Sequence, residues 1–270
     1  MKNKLLKLTV LAVAAMSVTP AFAASSASAS LNDLTVTLYS LNGGPISFSW
    51  NNTSNNSFVD SYTYDSGSNT NQSNNLFSTT PNAPVSVSVG GAILGASAAI
   101  TNSTGTPVTS SFTSSGQALG YTYFSADSYI HGNSFTIGAN TMAVFSATAT
   151  ANANITIGTN LNGSESADSY AKLSTYGSYT SSGGTLYNIS NDAALYADVS
   201  NTAQGVNNAD TLSLSFTNLS NSSITGAISA STSAYGQSVS AVPEPGEWAL
   251  LMSGLGLMGF VATRRPKTAV

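Results

Sequence analysis

The side chains able to do chemistry are few, and their spacing does not favour catalysis. The single histidine is His131, in "YIHGN", with Asp127 four residues before it. Serines crowd around both, so their proximity alone does not define a Ser-His-Asp arrangement. His131 reads as a solvated loop histidine. One imidazole cannot build a histidine metal site, and the absence of cysteine removes thiolate ligands and thiol nucleophiles. "DSGSNTNQS" from Asp65 shares only polarity with a calcium loop, and the acids lack metal-loop spacing. Paired acids such as Glu165 and Asp168 are the only hint of two-carboxylate hydrolysis. "GLGLMG", 254 to 259, matches G-x-G-x-x-G in letters only, because it sits in an apolar segment with no strand before it. These residues point to a protein with no catalytic residues, no metal and no cofactor.

Residues suited to binding are more numerous. Tyrosines recur in pairs: Tyr62 and Tyr64, Tyr121 and Tyr123, Tyr176 and Tyr179, Tyr187 and Tyr196. Their rings can stack on sugars and their hydroxyls can bond to them, although Tyr is also a good strand residue that packs on sheets. Asn precedes x-Ser or x-Thr at Asn51, Asn52, Asn55, Asn71, Asn102, Asn154, Asn162, Asn188, Asn218 and Asn221. In a chain this rich in Asn, Ser and Thr such triplets arise by chance, so glycan acceptors do not follow from them. "TVT" at 35–37 and "TAT" at 148–150 are too few for the stacked threonine array of an ice-binding surface.

Strands must position these groups. Glu, Lys, Arg and Leu are scarce while Ser, Thr, Asn and Gly dominate, which disfavours helix. Alternation of period two recurs. "LTVTLYSL" (34–41) sets Leu34, Val36, Leu38 and Ser40 against Thr35, Thr37, Tyr39 and Leu41. "PISFSW", "VSVSV" and "TLSLSF" repeat the pattern with Ile46, Phe48, Trp50; Val85, Val87, Val89; and Leu212, Leu214, Phe216. Each fits a half-buried antiparallel strand. "AVFSATATANANITI" (143–157) alternates for so long that a break into two strands, or a bend, is as expected as one strand. Its many alanines predict a thin core or a sheet with small side chains on one face. Turn clusters such as "LNGGP", "LNGSE" and "SSGG" separate the runs, so the body, 24–228, should be an antiparallel β-sandwich-like domain. Residues 51–75 read as a long low-complexity loop and 229–241 as a linker, with the alternative that Tyr235 and Val239 end a last strand.

Charge narrows the partners. Between Ala24 and Val242 there are nine acids and one base, Lys172. Such a body cannot neutralise phosphates, so nucleic acid is not an expected partner.

The two ends act as addresses. Residues 1–23 carry Lys2, Lys4 and Lys7, an apolar run from Leu8 to Val18, and Ala21-Phe22-Ala23. That order is a secretory signal peptide with signal-peptidase recognition at Ala21 and Ala23, leaving Ala24 first in the mature chain. At the other end, Val242-Pro243-Glu244-Pro245 is held extended by its prolines. The apolar run from Trp248 to Ala262 predicts a helix about 22 Å long. This is short for a membrane span, with Trp248 at one interface and Arg264, Arg265 and Lys267 at the cytoplasmic one.

This ordered set (242–245, helix 248–262, basic end 264–267) resembles the PEP-CTERM sorting signal of Gram-negative bacteria. The resemblance covers about the last 25 residues. The tail "PKTAV" is longer than the bare basic ending usual in that family. The resemblance implies that an exosortase recognises the Pro-Glu-Pro and cleaves near it. The protein would be anchored transiently in the inner membrane, then released to the cell surface or beyond. It also implies an association with exopolysaccharide and with biofilm or floc formation. The expectation is thus an exported, non-enzymatic surface or extracellular-matrix protein. The alternatives are a carbohydrate-binding β-sandwich with a specific sugar site and, more remotely, a secreted hydrolase or an ice-binding protein.

Overall fold

Alanine at alternate positions supplies small side chains for the facing surfaces of two sheets. In the computed structural model the described residues are 23–51, 56–78, 84–91, 94–102, 110–160, 163–180, 183–239, 252–258 and 260. Residues 23–240 form one compact unit. Its strands are β1 (Ala24–Ser40), β2 (Phe48–Trp50), β3 (Asn56–Asp65), β4 (Thr70–Ser78), β5 (Val85–Gly90), β6 (Gly95–Asn102), β7 (Ser110–Leu119), β8 (Thr122–Ile137), β9 (Thr141–Asn160), β10 (Gly163–Ser164), β11 (Ser166–Thr180), β12 (Leu186–Ser200), β13 (Thr202–Asn218) and β14 (Ile224–Gln237).

They pair antiparallel in two seven-stranded sheets. The first runs β10-β9-β1-β7-β6-β5, with β13 also on β9. The second runs β12-β11-β14-β8-β3-β4, with β2 also on β8. The all-β antiparallel body is therefore as the alternation predicts. The inner face of β9 is Ala143, Phe145, Ala147, Ala149, Ala151, Ala153 and Ile155, all buried. Burying apolar area here stabilises the sandwich at about 25 cal/mol per Å².

Polar contacts join the sheets where the alanines leave room. Ser114 of β7 reaches Thr232 Oγ1 of β14 at 2.9 Å, and Thr232 reaches Ser128 of β8 at 2.7 Å. Ser169 of β11 donates to the Asn152 carbonyl of β9 at 3.0 Å. Along the rim shared by β12 and β13, side-chain amides take over from the backbone ladder. Asn208 donates to the Tyr196 carbonyl at 2.6 Å and Asn191 to the Ser215 carbonyl at 2.6 Å. Opposite, Gln72 of β4 accepts the Gly90 N–H of β5 at 3.0 Å. These bonds occupy backbone groups that open strand edges otherwise expose.

One half of the core is aromatic. Phe135 packs against Phe145 and Phe216 with ring centroids 5.0 Å away in each case. The space for them comes from Gly177 and Gly226, which face each other across β11 and β14. A Cβ on Gly226 would lie 2.7 Å from both Phe135 and Phe216, and one on Gly177 2.8 Å from Phe216.

Three expectations change. Residues 51–75 are no long loop: they hold most of β3 and β4, joined by a turn in which Asp65 accepts the Gly67 N–H at 2.8 Å and the Ser68 hydroxyl at 2.7 Å. Asn- and Ser-rich composition hid the outer face of a hairpin. The linker 229–241 is, through Gln237, the body of β14, a central strand whose Ala230, Thr232 and Ala234 are buried. The small polar residues there are ordinary for this sandwich and mark no boundary. His131 lies not in a loop but in β8, exposed, its ring 6.2 Å from that of Tyr176. Residues 143–157, left open between one strand and two, belong to the single strand β9.

The residues named for export and sorting, Ala21, Val242, Pro243, Glu244, Pro245, Trp248, Arg264 and Arg265, lie outside the described residues. Residues 252–258 and 260 are helical. Among the described residues no helix is long and apolar enough to cross a membrane. Ala23 is buried, and its carbonyl accepts the Gly120 N–H at 3.1 Å.

Candidate functional site

The tripeptide Asp-Ser-Tyr occurs at 60–62, 127–129 and 168–170, each time inside a strand of the second sheet. Alternation then does the same thing three times. Ser61, Ser128 and Ser169 turn inward and are buried. Asp60 and Tyr62, Asp127 and Tyr129, and Asp168 and Tyr170 turn to the outer face.

Register aligns them across the sheet. Asp60 of β3 pairs with Asp127 of β8, which pairs with Ser233 of β14, then Tyr170 of β11 and Tyr196 of β12. The neighbouring row is Tyr62, Ser125, Tyr235, Asp168 and Asp198 in the same strand order. Beyond it Tyr64 faces Tyr123; on the other side Phe58 faces Tyr129. With strands about 4.8 Å apart and same-face residues about 6.8 Å apart along each strand, the patch measures roughly 20 Å each way.

The rings sit in touching pairs. Tyr123 is 5.4 Å from Tyr62 and 5.2 Å from Tyr64, Phe58 is 5.1 Å from Tyr129, and Tyr170 is 5.9 Å from Tyr196. Such pairs add about 0.5–1.5 kcal/mol each beyond the area they bury. They also hold the rings in place before any ligand arrives. Tyr129 and Tyr196 remain 39% and 60% exposed, enough ring surface for a ligand to cover.

The carboxylates stand between the rings. Partial burial, and then the charge of Asp127, raise the Asp60 pKa above the usual carboxylate value. Asp168 is raised in the same way, by burial and then by the charges of Asp198 and Asp127. Burial and the Asp127 charge raise Tyr170; burial and the Asp168 charge raise Tyr235. Tyr123 is pushed up to about 12, chiefly by its hydrogen bond to Tyr62 and then by burial. One oxygen of Asp127 accepts the Ser125 hydroxyl at 3.1 Å. Lys172 lies on the same face but is paired with Asp192 at 3.2 Å. The face therefore offers many acceptors, phenol hydroxyls and ring surfaces, with its one cation engaged. That is chemistry for binding polyhydroxylated molecules.

The residues weighed from sequence scatter differently. Tyr62, Tyr64, Tyr123 and Tyr196 join this face, whereas Tyr179 and Tyr187 stack on each other elsewhere, 5.2 Å apart. Asp127 and His131 share the outer face of β8, but the ring beside His131 is Tyr176. Glu165 and Asp168 do not form an acid pair. Glu165 is buried, and its Oε2 accepts the N–H groups of Thr156, Ile157 and Gly158 at 3.0, 2.6 and 2.9 Å. Asn218 is buried with its amide bound to carbonyls, so it is no surface glycan acceptor. Threonines of "TVT" and "TAT" form no common array, because Thr37 faces Val144 and Thr35 faces Ser146. Among the described residues no three His, Asp or Glu side chains group to hold a metal ion.

Tyr129, Tyr170, Tyr235, Asp60 and Asp198 escaped the sequence reading. The signal was present in the threefold Asp-Ser-Tyr, but only strand register shows that the copies meet.

Comparison with known proteins adds little. No protein-family description matches the chain, and no curated protein does. A solved structure from work on the promiscuous specificity of carbohydrate-binding modules of the β-sandwich superfamily aligns over 73% of this chain and 96% of its own, at 11% identity and a TM-score of 0.09. A TM-score that low marks no shared fold.

Proposed function

We propose that this chain is an exported, non-enzymatic surface or matrix protein whose second sheet binds polysaccharide across its outer face. The observation that carries the reading is the tyrosine–aspartate face built by three Asp-Ser-Tyr strands. A specific ligand surface has rigid rings and polar groups between them; a merely soluble face needs neither. The carboxylates stand on a strand face, and none of them lines the cavity at Gly90–Gly95 or the one at Tyr179 and Tyr187, which favours holding a chain over cutting it.

Export and sorting complete the proposal. A signal peptide would be removed after Ala23, immediately before β1 begins at Ala24. An exosortase would act near Val242-Pro243-Glu244-Pro245 after transient anchoring by the segment between Trp248 and Arg265. The ends of the sandwich are compatible with a tether: Ala24 pairs with Leu119 and the Ser238 N–H bonds the Thr122 carbonyl, so the first and last strands of the body end together beside the turn between β7 and β8. Once released or displayed, the outer sheet face would contact exopolysaccharide in a biofilm or floc.

Deletion of the gene, complemented by wild type or by a Tyr62→Ala/Tyr170→Ala variant, tests the reading. Floc or biofilm architecture should be lost on deletion and restored only by wild type. Unchanged architecture on deletion would contradict it.

A further inference from the structure

The stacked pair Tyr179 and Tyr187 belongs to neither the core nor the tyrosine–aspartate face. Tyr179 is the penultimate residue of β11 and Tyr187 the second of β12; they are direct cross-strand partners, their rings 5.2 Å apart and only 14° from parallel. Tyr179 rests on the core, while Tyr187 is 48% exposed. Together with Leu219, Ser220, Asn221 and Ser222 they line a cavity of about 480 Å³. It lies at the end of the sandwich opposite Ala23 and Ser238, because β11 runs from Ser166, paired with Gln237, to Thr180.

The loop that closes the cavity is fixed in advance. Buried Asn218 donates to the carbonyls of Gly138 and Ser222 at 2.7 and 2.8 Å and accepts the N–H and hydroxyl of Ser220 at 2.9 and 2.7 Å. The Asn140 N–H bonds the Ser220 carbonyl at 3.2 Å, which ties the loop to the β8–β9 turn. So rigid a loop has little to gain for the fold from Leu219, which it holds 65% exposed. Ordering cost has already been met before a ligand binds.

We infer that this cavity is a second binding site, one that takes the terminal ring or two of an uncharged saccharide. The volume falls within the range of small-ligand pockets. A parallel aromatic pair and a leucine offer apolar surface to the C–H face of a pyranose. Ser220, Asn221 and Ser222 offer hydroxyl and amide groups to its rim. Among the described residues no charged side chain lines the cavity, so these residues offer no ion-pair partner to a sugar carboxylate or ammonium group. The site goes beyond the sheet-face reading and does not depend on it: a face that runs along a chain and a pocket that closes on an end recognise different parts of a polysaccharide.

The test is saturation-transfer NMR and calorimetry on the full-length protein with glucose, galactose, N-acetylglucosamine and their β-linked trimers. Tyr187→Ala is compared with Tyr62→Ala on the sheet face, and Asn221→Ala serves as a second pocket variant that leaves the aromatic pair intact. At least one of these sugars should bind. Tyr187→Ala should weaken it about tenfold, the size of one aromatic contact. Asn221→Ala should also weaken it, and Tyr62→Ala should leave it unchanged. Binding lost equally in Tyr62→Ala, or no binding of any of these sugars, would overturn the pocket. If polysaccharide were still retained through Tyr62, the sheet-face proposal would stand alone; if that were lost as well, both would fail.

Discussion

The Tyr123 hydroxyl donates to the Tyr62 hydroxyl at 3.1 Å, with the two rings 5.4 Å apart on neighbouring strands. Donation to a neutral acceptor favours the protonated phenol, which is why Tyr123 is pushed up to about 12. The sign follows: a proton held more tightly in the folded state gives stability that is present below the ordinary phenol pKa and lost as pH rises through about 12. Tyrosine absorbance on raising the pH should therefore show a late-titrating phenol. In Tyr62→Phe that phenol should move back towards the ordinary value, because the main cause is gone. An unchanged titration would separate the two hydroxyls.

The aspartates predict the opposite end of the pH scale. Asp60 and Asp168 are raised, so the folded state binds their protons more tightly than the unfolded chain. Their contribution to stability grows as pH falls through their raised values towards the ordinary carboxylate range near about 3.9. Asp65 and Asp192 are lowered, by hydrogen bonds from Ser68 and Ser174 respectively. Their contribution is present above the ordinary range and disappears only as pH falls through their lowered values. Thermal unfolding should thus give a melting temperature that holds or rises from neutral pH towards the ordinary carboxylate range, then drops in stronger acid. Asp168→Asn should flatten the rise. A steady fall from neutral pH would refute the burial of Asp60 and Asp168 and the repulsion they meet from Asp127 and Asp198.

Glu165 acts where the backbone ladder fails. Between β13 and β9 the register shifts, with Thr202 on Gly158 and then Gln204 on Ile155. Thr156 and Ile157 have no partner on β13 at this shift, and Glu165 accepts their N–H groups together with that of Gly158. Each buried donor left unpaired costs about 1–3 kcal/mol. Glu165→Ala should lower the unfolding free energy by about 3 kcal/mol or more, read from the urea midpoint. A loss below about 1 kcal/mol would mean that other groups or water replace the carboxylate.

Gly226→Ala should be costly for a steric reason. Its new methyl group would meet Phe135 and Phe216 at 2.7 Å, in the aromatic half of the core. Overpacking of this kind destabilises by about 1–3 kcal/mol. Gly91→Ala, whose methyl group meets nothing within 4 Å, is the control and should change stability by less than about 0.5 kcal/mol. Equal midpoints for the two variants would contradict the packing described.

The strands were legible where alternation kept one parity and hidden where it switched. In β1 the buried positions pass from Ala29 and Leu31 to Leu34, a step of three, at Asp33 with its φ of 56°. In β8 they pass from Ile130 to Asn133 at Gly132, with φ 73°. Both are bulges that turn a strand over without ending it. Parity switches of this kind make long strands look like two short ones. The hairpin of β3 and β4 was missed because its outer residues are the same Asn and Ser that fill loops. The candidate face was less legible still. Its tyrosines could be named singly, but that Asp60, Asp127 and Asp168 share one face is a fact of register, set by pairings between residues as far apart in the chain as Asp60 and Asp127, or Asp127 and Ser233.

The central claim is that the outer face of the second sheet holds polysaccharide. Its most direct test is retention of the full-length protein by the exopolysaccharide of the cell that makes it. Wild type should be compared with Tyr62→Ala/Tyr170→Ala and with Thr148→Ala/Thr150→Ala on the opposite sheet. Retention of wild type and of the threonine variant, with loss in the tyrosine variant while it stays folded, is the predicted result. Equal retention of all three would contradict the account.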